Sequence, residues 1–430
     1  MPYLMPHLLY VSATEPTAAC ASISAALRQA AAGDTVLVGR GLYAPSTTGE
    51  HFPLYVPPGV TLAGEGQGVS LIDGEGATDL SFRPVQAGQS LILLGDGTTL
   101  RDLTVANSGG NGVSNQPGAR VLIMRNEIRQ HGQHGLLLSG PQEAVVLDNH
   151  FVDNGTKQFR PATPRPAAGR QGHHIFVQGK SGVANSLVIA GNTMQRAFAD
   201  GLALVVFFDE ADGVTMHARV VNNTIEASER RGVTIAGSFG PSHNRVTIDV
   251  SHNTIRYNGA QTIGAQAARP LVTRLIRDSY LCLHIADNDC QDNGEGIVLF
   301  GGFGPAEDNL LDGTVLGNRI TGTPRHAIRV IGGVGLGGYA AQCNRVRVTI
   351  SRNHIAEAGE VPIFLQGGMS EGQETVIDNA VVAQLLANGL PTVSGKPSVL
   401  LNDGLASNMV YIEDPAPVHA RTSDPLPYQA

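Results

Sequence analysis

The sequence lacks tryptophan and is poor in other aromatic residues, in lysine and in cysteine. Aromatic residues make up 5% of the 430 residues, whereas hydrophobic residues of all kinds make up 42%, which is enough for a large core of aliphatic side chains. Arginine supplies nearly all the positive charge, and the formal net charge of −8 argues against the basic face that nucleic-acid binding requires. No hydrophobic run is long enough to span a membrane, so we expect no membrane partner.

The four cysteines exclude a cysteine-based metal site and a dense disulfide framework. Cys282 and Cys290 are close enough in sequence to pair, but we favour buried free thiols. The first residues, MPYLMPHLLYVSA, lack the basic region of a signal peptide. Localisation therefore stays open: secreted or periplasmic if a signal was removed, and cytoplasmic otherwise.

Glycine is abundant, with 53 residues, and a repeated unit recurs along most of the chain. Residues 222–240, NNTIEASERRGVTIAGSFG, show its parts: an Asn, an apolar residue two positions later, and a small residue that opens an alternating apolar run. A further short strand precedes each marker Asn. Three short strands per unit of about 23–35 residues are typical of a parallel β-helix. We expect the Asn to occupy a corner, because it tolerates the left-handed region and can stack in a hydrogen-bonded ladder. The marker residues are Asn126, Asn149, Asn192, Asn223, Asn253, Asn288, Asn318 and Asn353.

The start of the chain adds an amphipathic segment within residues 17–31, followed by GDTVLVGRGLY and GVTLAGEGQGVSLIDG. From there to about residue 370 the sequence resembles the pectate-lyase-like right-handed parallel β-helix superfamily, in which a short helix caps the first coil. The resemblance implies an all-β fold: a right-handed parallel β-helix of about ten coils, three short strands per coil, with an N-terminal capping helix. We predict a single domain, with the cap and first coils in 1–89, regular coils in 90–370, and a C-terminal cap and tail in 371–430.

Three segments are expected to depart from the regular coils. Residues 155–174 and 260–280 are predicted insertions, which could carry function or be solvated excursions with equal weight. Residues 378–391, DNAVVAQLLANGLP, are predicted to form a helix that ends at Gly389 and Pro391.

Aligning the units on the small residue assigns faces to the strand that follows it. Alternate side chains should face the core, and the outward side chains between them are mostly apolar, which indicates that this outer face is covered. We predict a homo-oligomer interface there, or a cover made by the insertions or the C-terminal segment, with a ligand groove as a third alternative. The predicted core pairs are Leu136/Leu138, Ile175/Val177, Leu202/Leu204, Val233/Ile235, Ile297/Leu299, Ile328/Val330 and Ile363/Leu365.

The residues immediately before the small residue form a largely ionisable column. Stacking on neighbouring coils should bring His173, Asp200 and Arg231 within about 10 Å, a grouping that could bind an acidic sugar and move a proton. The alternative is a structural column, because turn geometry favours such residues before glycine. We predict His134, His173, Asp200 and Arg231 as catalytic residues. We predict Arg170, His174, Glu295 and His326 as substrate-binding residues.

A short acidic loop, FFDEADG, could hold Ca²⁺ through Asp209, Glu210 and Asp212, but we favour a solvated turn. No other cofactor is indicated. The superfamily implies a carbohydrate partner, but its motifs for hydrolases and mannuronan epimerases are absent, so no catalytic residue is carried over. We therefore predict a polysaccharide lyase or epimerase, or a glycosidase or fructotransferase, acting on an oligo- or polysaccharide. The alternative is a non-catalytic carbohydrate-binding or structural β-helix.

Overall fold

A computed structural model describes residues 6–15, 18, 20–76, 90–155, 172–206, 212–269, 274–370, 376–390, 398–404, 407–413 and 420–422. The chain divides into two compact units: residues 1–178 with 183–203 (unit 1), and residues 179–182 with 204–430 (unit 2). Each unit is built from parallel sheets that run along the stack of coils. The predicted parallel β-helix is therefore confirmed. Each unit contributes seven strands to its first sheet, one strand per coil, so the coils are more numerous than the ten that we predicted.

After the first strand, Leu8–Val11, and the N-terminal helix, each coil of unit 1 passes through a first, a second and a third sheet in turn. The first-sheet strands are Leu8–Val11, Thr35–Val38, Thr61–Gly64, Thr98–Arg101, Arg120–Met124, Glu143–Leu147 and Ser186–Ala190. The second-sheet strands are Gly41–Tyr43, Ser70–Asp73, Thr104–Ala106, Glu127–Arg129, His150–Val152 and Thr193–Gln195. The third-sheet strands are Leu54–Val56, Ser90–Leu94, Asn111–Asn115, Leu136–Ser139, Ile175–Gly179 and Leu202–Val206.

Unit 2 repeats the three sheets and adds a fourth, made of two-residue strands, which the sequence did not predict. The first-sheet strands are Thr215–Val221, Arg245–Ser251, Tyr280–Ala286, Leu310–Leu316, Arg345–Ser351, Ala380–Leu386 and Met409–Ile412. The second-sheet strands are Thr224–Glu226, Thr254–Arg256, Asp289–Gln291, Arg319–Thr321 and His354–Ala356. The third-sheet strands are Val233–Ala236, Gln261–Ala268, Glu295–Phe303, Ile328–Gly335, Ile363–Ser370, Val399–Asn402 and Ala420–Thr422. The fourth-sheet strands are Ile276–Arg277, Ala306–Glu307, Ala341–Gln342 and Val376–Ile377.

The predicted N-terminal helix is present and spans Ile23–Gln29, followed by a single turn, Pro45–Thr48. Ser22 caps its first turn by accepting from the Ala25 N–H at 3.2 Å. The buried carboxylate of Glu50 accepts two more of the free N–H groups, those of Ile23 at 2.7 Å and Ser24 at 2.9 Å.

Two predicted departures from the coils are wrong. Residues 378–391 contain the strand Ala380–Leu386, paired in parallel with neighbours on both sides, instead of a helix. Most of 260–280 is an ordinary coil, because Gln261–Ala268 and Ile276–Arg277 pair in register with other coils. Of the insertion predicted at 155–174, residues 156–171 lie outside the described residues.

Asparagine ladders join the coils, as predicted, although the left-handed residue at each corner is not the one that we predicted. In unit 2 the side-chain oxygen of Asn288 accepts the backbone N–H and the side-chain NH₂ of Asn253, each at 3.0 Å, and Asn318 serves Asn288 in the same way. The marker Asn is not the left-handed residue. The residue before it takes that conformation, as at Asp287 (φ 53°) and His252 (φ 56°). Two neighbouring residues therefore carry out the two roles that we had predicted for Asn alone: the preceding residue adopts the left-handed conformation, and the Asn side chain forms the ladder.

The core prediction is confirmed, since all seven predicted inward pairs are fully buried. The outward side chains between them are buried too, including Leu137, Phe176, Val298 and Phe364. Because this burial is complete within a single chain, the face is covered without a second subunit. The homo-oligomer stays a prediction.

Cysteine pairing is absent, since all four thiols are free. Cys290 is buried, as expected, and burial raises its pKa, whereas Cys282 is only half-buried. Within the described residues, none of the helices has the length and hydropathy needed to cross a bilayer.

Candidate functional site

The ionisable column lies on the third sheet, in the register that the sequence predicted, and each unit carries its own part. In unit 1 the pairing of Leu136 with Ile175 aligns His134 with His173, and Asp200 follows on the next coil. In unit 2 the pairing of strands aligns Arg231, Gln261, Glu295 and His326 in succession.

In unit 1 the column side chains hydrogen-bond to the backbone of the next coil. Nδ1 of His134 accepts from the His173 N–H at 3.3 Å, and Nδ1 of His173 accepts from the Asp200 N–H at 3.2 Å. A neutral imidazole whose Nδ1 accepts carries its proton on Nε2. His134 therefore offers an N–H donor at Nε2. Burial holds the pKa of His134 well below its ordinary value, so His134 is neutral at physiological pH.

An aromatic ring supports these histidines. The rings of His134 and His173 stack at 5.2 Å, and each stacks on Phe176, at 4.7 Å and 5.2 Å respectively. Asp200 lies at the edge of this group, with Oδ2 3.6 Å from Nδ1 of His173. All four side chains are buried.

In unit 2 a polar network follows the column over successive coils. Nε of Arg231 donates to Oε1 of Gln261, and Nε2 of Gln261 donates to Oε2 of Glu295 at 3.1 Å. The other carboxylate oxygen of Glu295 lies 3.6 Å from Nη1 of Arg329, an outward residue that we had not predicted as part of the site. Arg231 and Gln261 are half-buried, whereas Glu295 and Arg329 are buried.

His326 closes this network with a different hydrogen-bonding pattern. Its Nδ1 is 2.8 Å from the Val361 carbonyl, which can only accept, so Nδ1 carries a proton. Its Nε2 lies 2.9 Å from Oε2 of Glu360, whose side chain is 43% exposed. Burial lowers the pKa of His326, and the Val361 carbonyl and the Glu360 carboxylate oppose that shift. The imidazole and the carboxylate are therefore placed to share or exchange a proton.

Phe364 brings His326 and Arg329 together. The His326 ring stacks on Phe364 at 4.9 Å, and the Arg329 guanidinium lies over the same ring at 5.8 Å. We call Glu295, His326, Arg329, Glu360 and Phe364 the Phe364 cluster. His326 and Phe364 have the same relative register as His134 and Phe176, since each histidine stacks on a Phe three residues beyond its column partner.

The other predicted site residues lie elsewhere or outside the description. The ring of His174 packs against Phe151 at a centroid distance of 6.2 Å, and its Nδ1 is 3.0 Å from Nδ2 of Asn154, away from the column. Burial lowers the pKa of His174 to about 3. Arg170, Asp209 and Glu210 are outside the described residues.

Asp212 is described and is held by protein groups. It accepts from the Ser242 N–H at 2.7 Å and from Nη2 of Arg274 at 3.0 Å. Among the residues that the structure describes, no three His, Cys, Asp or Glu side chains are grouped to hold a metal ion. The Ca²⁺ site stays a prediction.

Comparison with known proteins agrees with the fold. The family profile described as "Right handed beta helix region" matches residues 89–273. The catalytic unit of a GH87 α-1,3-glucanase from Streptomyces thermodiastaticus is similar over 85% of this chain and 64% of its own, with 15% identity and a TM-score of 0.54. The A-module of a mannuronan C-5 epimerase from Azotobacter vinelandii covers 94% of both chains at 16% identity and a TM-score of 0.45. A surface adhesin of Streptococcus pneumoniae covers 85% of both at 12% identity and a TM-score of 0.42.

No match was found among curated proteins. The chain has the right-handed parallel β-helix fold that the resemblance implied. Identities this low establish the fold alone.

Proposed function

We propose that this protein is an enzyme that acts on polysaccharides containing acidic sugars, by lyase or epimerase chemistry at the Phe364 cluster. One observation carries the proposal: His326 directs Nε2 at a carboxylate, next to the guanidinium of Arg329 and the carboxylate of Glu295. A polysaccharide substrate agrees with the glucanase that shares the fold.

The chemistry follows from the protonation pattern of His326. Because burial lowers its pKa, the imidazole is neutral near pH 7. When the substrate displaces the 43% exposed side chain of Glu360 from Nε2, this nitrogen can take the proton from the sugar carbon that bears the carboxylate. The electron pair of that C–H bond moves into the carboxylate as an enolate, whose charge Arg329 stabilises. The glycosidic oxygen two carbons from the carboxyl carbon then leaves and takes a proton from the protonated His326 or from water, which completes elimination. Return of a proton from water to the opposite face of the carbon, with loss of the His326 proton to solvent, completes epimerisation.

The remaining column residues are assigned to binding. Arg231 is half-buried and donates to Gln261 through Nε, and we assign its guanidinium to the binding of a second sugar carboxylate. We assign the base to His326 instead of His134 or His173, because Nδ1 of those two rings accepts backbone N–H groups, which places their proton on Nε2. His134, His173 and Asp200 then contribute contacts to the glycan.

The test is product analysis with His326→Asn, which keeps a side-chain N–H for the Val361 carbonyl and removes Nε2. Wild-type protein and the variant are incubated with polymannuronate, polyguluronate and polygalacturonate. The products are followed by ultraviolet absorbance for unsaturated ends and by NMR for altered configuration. We expect activity on at least one polymer and a loss of about 100-fold or more in the variant, the contribution of a general base. Equal activity in both proteins contradicts the assignment.

The second candidate is a non-catalytic carbohydrate-binding β-helix. The backbone hydrogen bonds of His134 and His173 favour it, because they give part of the column a structural task. Glycan binding without any product would support this candidate. New reducing ends without unsaturation would instead indicate hydrolysis. The geometry disfavours hydrolysis, because Glu295 and Glu360 are two coils apart, about 10 Å by strand spacing, and the two carboxyl groups of inverting glycosidases lie about 6.5–9.5 Å apart.

A further inference from the structure

Unit 1 contains a group of buried polar atoms without hydrogen-bond partners. The column continues from His134 to Asn111 and Ser90 on the two preceding coils, and all three residues are fully buried. Oγ of Ser90, Nδ2 of Asn111 and Nε2 of His134 each lack a partner, as does Oε1 of Gln133, the neighbour of His134 in sequence. Native proteins leave few such atoms unpaired, so four of them on three successive coils indicate a site whose partners come from outside the chain.

The other atoms of these side chains fix which group each one offers. Oδ1 of Asn111 accepts from the His134 N–H at 3.2 Å, which leaves its NH₂ as an unused donor. Nδ1 of His134 accepts from the His173 N–H, which leaves Nε2–H as a second donor. Ser90 can donate or accept, and Oε1 of Gln133 accepts. The row therefore offers donors and acceptors at intervals of about 4.8 Å, the separation of neighbouring strands.

The row carries no charge. Serine, asparagine and glutamine are neutral, and so is His134, because burial keeps its pKa far below the ordinary value. A charged ligand would find no counter-charge on these side chains, which distinguishes the row from the arginine-containing cluster of unit 2. The rings of Phe176 and His173 lie beside it, stacked on His134 and on each other.

We propose that Ser90, Asn111, Gln133 and His134 bind the hydroxyl groups of a neutral sugar. A sugar hydroxyl both donates and accepts, so a run of hydroxyls matches a row of mixed donors and acceptors. The inference rests on the proposed function in one respect, that the ligand is a carbohydrate. Ordered water is the competing partner for the same atoms.

The experiment uses variants that remove unpaired atoms and no hydrogen bond of the fold: Ser90→Ala and Gln133→Met in the full chain. Calorimetric titration with neutral oligosaccharides of glucose, mannose and galactose should show binding of at least one to wild-type protein. Each variant should bind that sugar about fivefold more weakly, the effect of one neutral hydrogen bond, with unchanged or higher thermal stability. Ser70→Ala is the matched control, since its buried hydroxyl donates to the Val38 carbonyl at 2.7 Å and accepts from the Glu65 N–H at 3.0 Å. It should lower stability and leave affinity unchanged.

Equal affinity in wild type, Ser90→Ala and Gln133→Met would overturn the inference and leave water as the partner. Absence of binding to every neutral probe would overturn it as well. The proposed function fails separately, if no polyuronate is converted. Weakened neutral-sugar binding in the two variants would support this inference even then.

Discussion

At the scale of single residues, the role of a side chain depends on which of its atoms the backbone already uses. His131 is an example, because it stands in a corner position that Asn154 occupies one coil later. Nδ1 of His131 accepts from the Ser108 N–H at 3.1 Å and Nε2 lies 3.2 Å from the Val105 carbonyl, whereas Asn154 accepts from the His131 N–H and donates to Ile128. The imidazole thus replaces an asparagine in the ladder, and it is buried and neutral.

The first prediction concerns acid stability. Burial lowers the pKa of His131 to about 3, whereas an unfolded histidine titrates near 6.5. Because the folded pKa is the lower one, unfolding takes up a proton between these values, and stability falls as the pH drops below about 6.5. His131→Asn should keep the ladder and remove this loss, which amounts to about 2 kcal/mol at pH 5. Urea unfolding at pH 8 and pH 5 measures it. The same pH dependence in both proteins would contradict the account.

The second prediction concerns the pH profile of the proposed reaction. Among the charges around His326, Glu360 and Glu295 raise its pKa, and Arg329 lowers it. Glu360→Gln removes a raising charge, so the acid limb of kcat/KM should move to lower pH. Glu357→Gln is the control, because it removes the same charge from an exposed residue of the same coil, and it should leave the acid limb at the same pH. A limb that does not move in Glu360→Gln would show that His326 is not the titrating base.

At the scale of the element, the corners hold the coils together through two separate devices, a left-handed residue and a stacked asparagine. The left-handed position accepts many residue types, since Asp148, Arg125 and Tyr257 all adopt positive φ. The ladder position is restrictive, because its carboxamide must accept from one coil while donating to another. These different demands explain why the sequence repeats Asn so regularly and varies the residue before it.

The third prediction tests the ladder. Asn288→Ala removes the acceptor of two Asn253 N–H groups and the donor to the Val250 carbonyl, all in the core. We expect a loss of about 3 kcal/mol, since buried groups left unpaired cost about 1–3 kcal/mol each. Asn388→Ala, at the half-buried end of the same ladder, should cost about 1 kcal/mol, because water can replace its bonds. Equal losses, measured by chemical unfolding, would refute the cooperative ladder.

The fourth prediction tests the left-handed position. Ala227 adopts φ 57°, which strains a residue with a Cβ atom. Ala227→Gly should stabilise the protein by about 0.5–1 kcal/mol. Ala218→Gly, within the strand Thr215–Val221, should destabilise it by a similar amount. A loss of stability in both variants would mean that the corner imposes no strain.

At the scale of the whole molecule, the parallel β-helix and the register of the column could be predicted from the sequence, because both depend on periodicity. The helix predicted at 378–391 failed because the run AVVAQLL fits a strand alternation as well as a helical period. The fourth sheet could not be found, since two-residue strands such as Ala306–Glu307 leave no alternation. The partners Arg329 and Glu360 were missed because a column alignment shows residues stacked in register and not the diagonal contacts between them.

The central claim is that His326 removes a proton from an acidic sugar, and deuterium exchange tests it most directly. Polyuronates are incubated in D₂O with wild-type protein and with His326→Asn, and the carbon next to the carboxylate is followed by NMR. The account predicts deuterium at that carbon or conversion to the unsaturated product with wild-type protein, and neither with the variant. Undiminished exchange or elimination by His326→Asn would contradict it.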